Sequence, residues 1–132
     1  MYEEHMEVIK EAWRATNRGD VDALLATLTE DVDFRPPSHM MDGTVFRGHA
    51  GVRAWMERIE ETWSELEGRP DVVASVGEQV VVAIDARAVG RESGVPIHER
   101  AFVVFSLRDG KIAASIACPG KHEALKVVGL EE

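Results

Sequence analysis

The sequence is poor in cysteine and in basic residues, and each shortage excludes a class of protein. Cys118 is the single cysteine among 132 residues, so the chain can form neither an internal disulfide nor a cluster of thiolate metal ligands. Lys and Arg number 15 against 24 Asp and Glu, which gives a formal net charge of -9. Such a surface repels a phosphate backbone, so we expect no nucleic-acid partner.

The chain also has no long apolar segment. No stretch approaches the roughly 20 apolar residues that cross a bilayer, so we expect no membrane partner. The first residues, MYEEHMEVIKEAW, are acidic and amphipathic, unlike the basic start of a secretory signal peptide. With a single cysteine, these features favour a cytoplasmic protein.

What the sequence does contain is the balance of a globular domain. Hydrophobic residues make up 45% of the chain and charged residues 30%. A chain of 132 residues is long enough to bury one core without disulfides and too short for two ordinary domains. We therefore assign residues 1–132 to a single domain.

Apolar residues recur at helical spacing in three segments, which predicts three amphipathic helices. The stripes consist of Tyr2, Met6, Ile9 and Trp13; of Val21, Leu24, Leu25 and Leu28; and of Val52, Trp55, Met56, Ile59 and Trp63. Gly19 is a suitable end for the first helix, because glycine adopts the left-handed conformation at little cost. Asp20 can cap the second helix, since its carboxylate accepts free backbone N–H groups.

Extended segments dominate the second half of the chain. After a short strand at 31–36, strands are predicted at 71–76, 79–89, 95–107 and 112–118, with a last helix at 121–128. Asp109-Gly110 is a strong signal for a tight hairpin between the last two strands. Helices followed by strands with short turns predict an α+β fold with an antiparallel sheet.

Short motifs along the chain resemble those of the SnoaL-like proteins. They are NRGD at 17–20, LTEDV at 28–32, FRGHAGVR at 46–53, LRDGKI at 107–112, EAL at 123–125 and GL at 129–130. The resemblance implies the cone-shaped nuclear transport factor 2-like fold, in which a curled antiparallel sheet wraps around the N-terminal helices and leaves a pocket. Relatives include polyketide cyclases, ketosteroid isomerases, limonene epoxide hydrolases and binding proteins without chemistry, so the fold alone does not fix the activity.

The catalytic groups of two such relatives do not carry over to this chain. Matched through the shared turns, the tyrosine, the base and the second acid of ketosteroid isomerase fall on Ala12, Pro36 and near Val103. The last-strand aspartate of limonene epoxide hydrolase falls on Ala117. We therefore expect neither mechanism.

The same matching assigns an inner face to the sheet and, with it, a pocket lining. That lining consists of Trp13, Phe34, Trp55, Ile59, Ile84, Ala86, Val103, Phe105, Ser115 and Ala117. Several of these residues are small, and the void they leave beside the tryptophans suits a flat hydrophobic ligand. The alternative is that Trp13 and Trp55 simply fill the cone.

Candidates for acid–base chemistry are few. His39 and Asp42 lie in the loop that the resemblance places near the pocket mouth, and Glu99 would face inward at the start of its strand. A solvated loop and a carboxylate at the rim explain the same residues without chemistry. No His-x-His or His-Glu-x-x-His spacing predicts a metal, and no glycine-rich motif predicts a cofactor.

The opposite, outer face of the sheet is predicted to be too apolar for exposure to water. Its members would include Val81, Ala83, Val89, Phe102, Val104, Ile112, Ala114, Ile116 and Cys118. We therefore expect a two-fold homodimer through this face, which substitution of Val104 by lysine would separate.

Three functions remain open at this point. The first is an isomerase, cyclase or hydratase that takes a small hydrophobic substrate into the cone. The second is a binding protein for such a molecule without catalysis, and the third is a structural dimer with a filled cone.

Overall fold

The computed structural model describes residues 2–37 and 42–130 of the chain. Within these residues the elements are α1 (Tyr2–Asn17), α2 (Val21–Ala26), β1 (Leu28–Arg35), β2 (Phe46–Arg47), α3 (Gly48–Thr62), β3 (Trp63–Val76), β4 (Gln79–Gly90), β5 (Pro96–Arg108), β6 (Lys111–Cys118) and α4 (Lys121–Val127). No helix in this part of the chain is long and apolar enough to span a bilayer. The predicted α+β class, with helices preceding a curled sheet, is confirmed.

The six strands of the described residues form one open sheet in the order β2-β1-β6-β5-β4-β3. All neighbouring pairs are antiparallel except β1 and β6, which run parallel. The sequence predicted only antiparallel pairs, because a hairpin turn indicates the pairing of two strands that follow one another in the chain. The β1–β6 contact joins distant segments, and no turn encodes its direction.

Local signals placed several element ends correctly. Asp20 caps α2, and its carboxylate accepts a hydrogen bond of 3.1 Å from the N–H of Ala23. Gly19, with φ of 70°, follows α1 in the left-handed conformation. Asp109 and Gly110 have φ of 53° and 77°, as a two-residue hairpin with both central residues left-handed requires.

Strand β3 begins earlier than the sequence predicts. It starts at Trp63, directly after α3, and not near residue 71, so the placement of Trp63 on the helical stripe was wrong. The side chain of Arg91 explains the helix end, because it donates hydrogen bonds to the carbonyls of Glu60 (2.7 Å) and Trp63 (3.1 Å). The first half of β3 is rich in exposed charged residues, which hid its strand character.

The core lies between the inner face of the sheet and the helices α1, α2 and α3. Inner-face residues of β4, β5 and β6 pack with Met6, Ile9, Leu24, Leu25 and Val52 in one buried cluster. Ile112 belongs to this cluster and is 1% exposed, whereas the sequence placed it on the outer face. The reason is a bulge: Leu107 pairs with Ile112 but Ser106 pairs with Ala114, so one extra residue reverses the alternation of β6.

The outer face is covered in part by the chain itself. Ala124 of α4 and Val128, the residue directly after this helix, pack against Val81, Val104 and Cys118 in a second buried cluster. The sequence analysis proposed that a lysine at position 104 would separate a dimer. That choice of residue was wrong, because Val104 is already 1% exposed within one copy of the chain. A lysine at this position would disrupt the packing of α4 and would not report on a dimer.

Candidate ligand-binding site

A small cavity lies inside the cone, between the helices and the inner face of the sheet. Its volume is about 40 Å³. It is lined by Ala12, Trp13, Thr16, Leu24, Leu28, Phe34, Val52, Trp55, Phe105, Ile112 and Ser115. We call this space the cone cavity.

Aromatic side chains from a strand and a helix form one wall of the cone cavity. The ring of Phe34 on β1 meets the ring of Trp55 on α3 edge to face, with centroids 4.5 Å apart and an interplanar angle of 68°. Phe46 extends the group, with its centroid 6.4 Å from that of Phe34. The parallel register of β1 and β6 sets Phe34 beside Ser115, so a pairing that the sequence did not reveal builds this wall.

Trp13 closes another side of the cone cavity and depends on a glycine to do so. A Cβ atom at Gly68 would lie 2.6 Å from Cζ3 of Trp13, so only glycine allows the indole to pack against β3. Asn17, one helical turn later, accepts a hydrogen bond from the N–H of Gly68 (2.8 Å) and donates one to its carbonyl (3.0 Å). These contacts fasten the end of α1 to the edge strand and fix the position of Trp13.

The polar groups of the cone cavity are two hydroxyls. Thr16 donates its proton to the carbonyl of Ala12 over 2.8 Å. Ser115 is 6% exposed, and no hydrogen bond joins its hydroxyl to any residue of 2–37 or 42–130. Among those same residues, no Asp, Glu, His, Lys or Arg lines the cavity. The described wall can therefore select a ligand by shape and by one hydroxyl, but it contributes no general acid or base.

The residues predicted to line a pocket separate into two groups. Trp13, Phe34, Trp55, Phe105 and Ser115 line the cone cavity. The others lie in the surrounding core: Ile84, Val103 and Ala117 are buried there, and Ile59 and Ala86 pack against it.

The sequence analysis missed several members of the cavity wall. Thr16 follows Trp13 by three residues on α1, so helical spacing contained the signal that would have found it. Ile112 was not predicted to line the cavity, because the bulge in β6 reverses the side of the sheet to which its side chain belongs. Val52 was recognised as part of a helical stripe but was not assigned to the pocket.

Neither Asp42 nor Glu99 lines the described wall of the cavity. Asp42 is exposed, and its carboxylate accepts a hydrogen bond of 2.9 Å from the N–H of Thr44. That bond is the main reason why the pKa of Asp42 lies below its usual value. Glu99 is exposed in a cleft at the sheet rim together with Arg69 and Arg100. His39 lies outside the described residues.

A larger but open cleft lies where β3, β4 and β5 extend beyond the end of α1. Its volume is about 790 Å³, and its lining includes Leu66, Ala88 and Ile97 beside Arg87 and His98. Most of its lining residues are exposed to solvent, so this strand-end cleft does not enclose a ligand as the cone cavity does. No group of three or more metal-ligating side chains is found in the described parts of the chain.

Solved structures of the same fold cover almost the whole chain. A putative polyketide cyclase from Xanthomonas campestris has a TM-score of 0.77 and 23% identity, over 96% of this chain and 98% of that one. A nuclear transport factor 2-like protein of unknown function from Burkholderia pseudomallei has a TM-score of 0.76 and 22% identity over the same shares. A hypothetical protein with a ketosteroid isomerase-like fold from Catenulispora acidiphila, in complex with trimethylamine, has a TM-score of 0.75 and 14% identity, over 94% of this chain and 93% of that one.

The sequence itself matches a family. No curated protein matches the chain. The model of the SnoaL-like domain, however, matches residues 9–115, which extend from the middle of α1 through most of β6 and include every residue of the described cavity wall. The chain therefore belongs to the SnoaL-like domain family.

Proposed function

We propose that the chain binds a small, neutral, hydrophobic molecule in the cone cavity. The composition of the wall is the observation that carries this proposal: aromatic and aliphatic side chains surround two hydroxyls, with no charged group among the described lining residues. A charged ligand would lose its hydration there without gaining a partner. An apolar molecule gains free energy by leaving water for such a site.

Ligand entry requires movement of the aromatic wall. The cavity volume of about 40 Å³ has room for a few water molecules, whereas ligand pockets usually measure roughly 300–1,000 Å³. Trp55 is only partly buried, so its side chain can turn toward solvent and enlarge the cavity while Trp13 stays packed against β3. The Catenulispora acidiphila protein of the same fold was solved in complex with a small organic molecule, trimethylamine.

Catalysis as an isomerase, cyclase or hydratase is the less supported form of this proposal. Asp42 would have to act from an exposed position as a carboxylate with a lowered pKa, which makes it a weak proton donor near neutral pH. Glu99 would have to act from the sheet rim. Binding without chemistry does not require Asp42 or Glu99 to reach the ligand.

A second candidate function is a structural domain with a filled cone. The small volume of the cone cavity favours it, because the side chains that line the cavity leave little of the space that a ligand would need. The two functions differ in a single measurable property, which is whether a small molecule stabilises the folded chain.

A thermal-shift screen against neutral steroids, terpenoids and aromatic polyketides tests the proposal. A ligand present at 100 times its dissociation constant adds about 2.7 kcal/mol to the unfolding free energy. The variant Ala12→Leu fills the cavity from α1 and is expected to abolish the shift, whereas Ala26→Leu on the exposed end of α2 keeps it. Stabilisation that survives Ala12→Leu, or the absence of any hit, would favour the structural domain.

We also propose that two copies of the chain pair through the part of the outer face that α4 leaves open. Ile116 and Ala114 are half-buried there, and neither belongs to the cluster beneath α4. Asp85 lies between Arg87 and Arg100 on the same face, so a two-fold axis can set opposite charges against each other.

Light scattering tests the proposed dimer directly. Ile116→Lys is expected to convert a dimer into a monomer, whereas Val127→Lys, on an α4 residue that is 53% exposed, should leave the mass unchanged. A wild-type monomer at micromolar concentration would refute the pairing.

A further inference from the structure

Ser115 occupies a central place on the floor of the cone cavity. In the register of the sheet it lies beside Phe105 on β5 and beside Phe34 on β1, and all three residues line the cavity. Its hydroxyl therefore lies on the inner face between two aromatic side chains. A ligand between Trp13 and Trp55 would meet this hydroxyl at its inner end.

The hydroxyl of Ser115 lines the cone cavity and has no hydrogen-bond partner among the described residues. Serine is 6% exposed at this position, and no hydrogen bond, ion pair or other polar contact involves its side chain there. Thr16, the other hydroxyl of the wall, is engaged with the carbonyl of Ala12. Among the described residues, the fully buried side-chain polar atoms without a partner are Nδ1 of His5 and Oγ1 of Thr29, so the oxygen of Ser115 keeps access to the cavity. A hydroxyl that faces a cavity without a protein partner can donate to, or accept from, a molecule that enters it.

We infer that Ser115 is the polar anchor of the cone ligand and that it selects neutral molecules with one hydrogen-bonding oxygen, such as a phenol, a ketone or an alcohol. This inference rests on the proposed function, because it requires a ligand in the cone cavity. The absence of a charged side chain from the described wall excludes a carboxylate at the same position. A hydrocarbon of the same shape fits the apolar wall but leaves the hydroxyl unpaired.

Three probes that share one benzene ring separate these contributions: phenol, benzene and benzoate. Their dissociation constants are measured by NMR from the methyl signals of Leu24, Leu28 and Ile112, which line the cavity. Ser115→Ala is expected to raise the dissociation constant of phenol by about three- to tenfold, the usual effect of losing one hydrogen bond, and to leave that of benzene unchanged. Benzoate is expected to shift none of these signals.

Two further variants serve as controls. Ser106→Ala removes a hydroxyl from β5 that pairs with Gln79 over 3.3 Å, and it should alter neither dissociation constant. Ser115→Cys keeps the shape of the side chain but forms a weaker hydrogen bond, so it should also raise the dissociation constant of phenol. It also provides a second measurement if the alanine variant folds poorly.

The outcomes distinguish this inference from the proposed function. If phenol and benzene both bind and Ser115→Ala changes them equally or not at all, the anchoring role is overturned while ligand binding in the cone stands. If neither probe moves the cavity signals of the wild-type chain, ligand binding in the cone is contradicted and the anchor with it. Tight binding of benzoate at these signals would overturn the selection for neutral molecules.

Discussion

A single methyl group at Gly68 should test how the cone is packed. In Gly68→Ala the new Cβ would lie 2.6 Å from Cζ3 and 2.7 Å from Cε3 of Trp13. Carbon atoms in contact ordinarily lie about 3.5–4.0 Å apart, so the indole must withdraw by about 1 Å. Overpacking of this kind costs about 1–3 kcal/mol.

An opposing effect must be subtracted from that cost. Replacing glycine with alanine restricts the unfolded chain and stabilises a protein by about 0.4–1 kcal/mol where the backbone accepts it. Gly68 lies within β3 and does not have a left-handed φ, so alanine fits its backbone. We therefore expect Gly68→Ala to lower the unfolding free energy by about 1–2 kcal/mol.

A double-mutant cycle measured by urea unfolding isolates the contact. In a Trp13→Leu background the ring atoms that meet the new methyl group are gone, so Gly68→Ala should become neutral or stabilising. This change of sign is specific to the Trp13 contact. An equal destabilisation in both backgrounds would refute the packing of Trp13 against β3.

Three further predictions concern single residues. Asn17→Ala should lower the unfolding free energy in urea by about 1–2 kcal/mol, because both hydrogen bonds between Asn17 and Gly68 are lost. An unchanged unfolding midpoint would contradict the stabilising role of these bonds. The hydrogen bond from Arg108 holds the pKa of Asp31 below its usual value, so the resulting stability is present above the ordinary aspartate pKa and disappears as pH falls through the lowered one. Asp31→Asn should flatten this acid limb of a stability–pH profile, and an identical profile would count against the pair. Burial raises the pKa of the Cys118 thiol, so a thiol reagent should modify the native chain far more slowly than the unfolded chain.

The features of the fold that the sequence predicted are those encoded by neighbouring residues. Asp20 and Gly19 mark helix ends through their own backbone and side-chain chemistry, and Asp109-Gly110 marks a hairpin. The predicted inner face of β4 was correct for Ile84 and Ala86, which belong to the inner core or pack against it. Each of these signals acts within a few residues of the chain, which is why a single sequence contains it.

The features that escaped prediction depend on residues far apart in the chain. The parallel contact of β1 with β6 has no turn to announce it. The bulge that turns Ile112 inward arises from the pairing of two strands and not from the composition of β6. The burial of Val104 beneath α4 likewise depends on the path of the chain after Cys118. The sequence therefore predicted an apolar outer face but not the helix that covers part of it.

For the candidate site, the sequence indicated the aromatic wall but not its closure. Trp13, Phe34 and Trp55 were expected around the cone, and they line the cavity. How much space they leave depends on rotamers and on the contact with Gly68, which no spacing rule predicts. The unpaired hydroxyl of Ser115 became recognisable only once its neighbours were known.

The most direct test of the account is to locate a bound neutral ligand on the wild-type chain by methyl NMR, with the strongest hit from the thermal-shift screen. The account predicts that the perturbed signals belong to Leu24, Leu28, Val52 and Ile112 around the cone cavity. It also predicts that Leu66 and Ile97 in the strand-end cleft stay unchanged. Perturbations confined to that cleft, with none inside the cone, would contradict it.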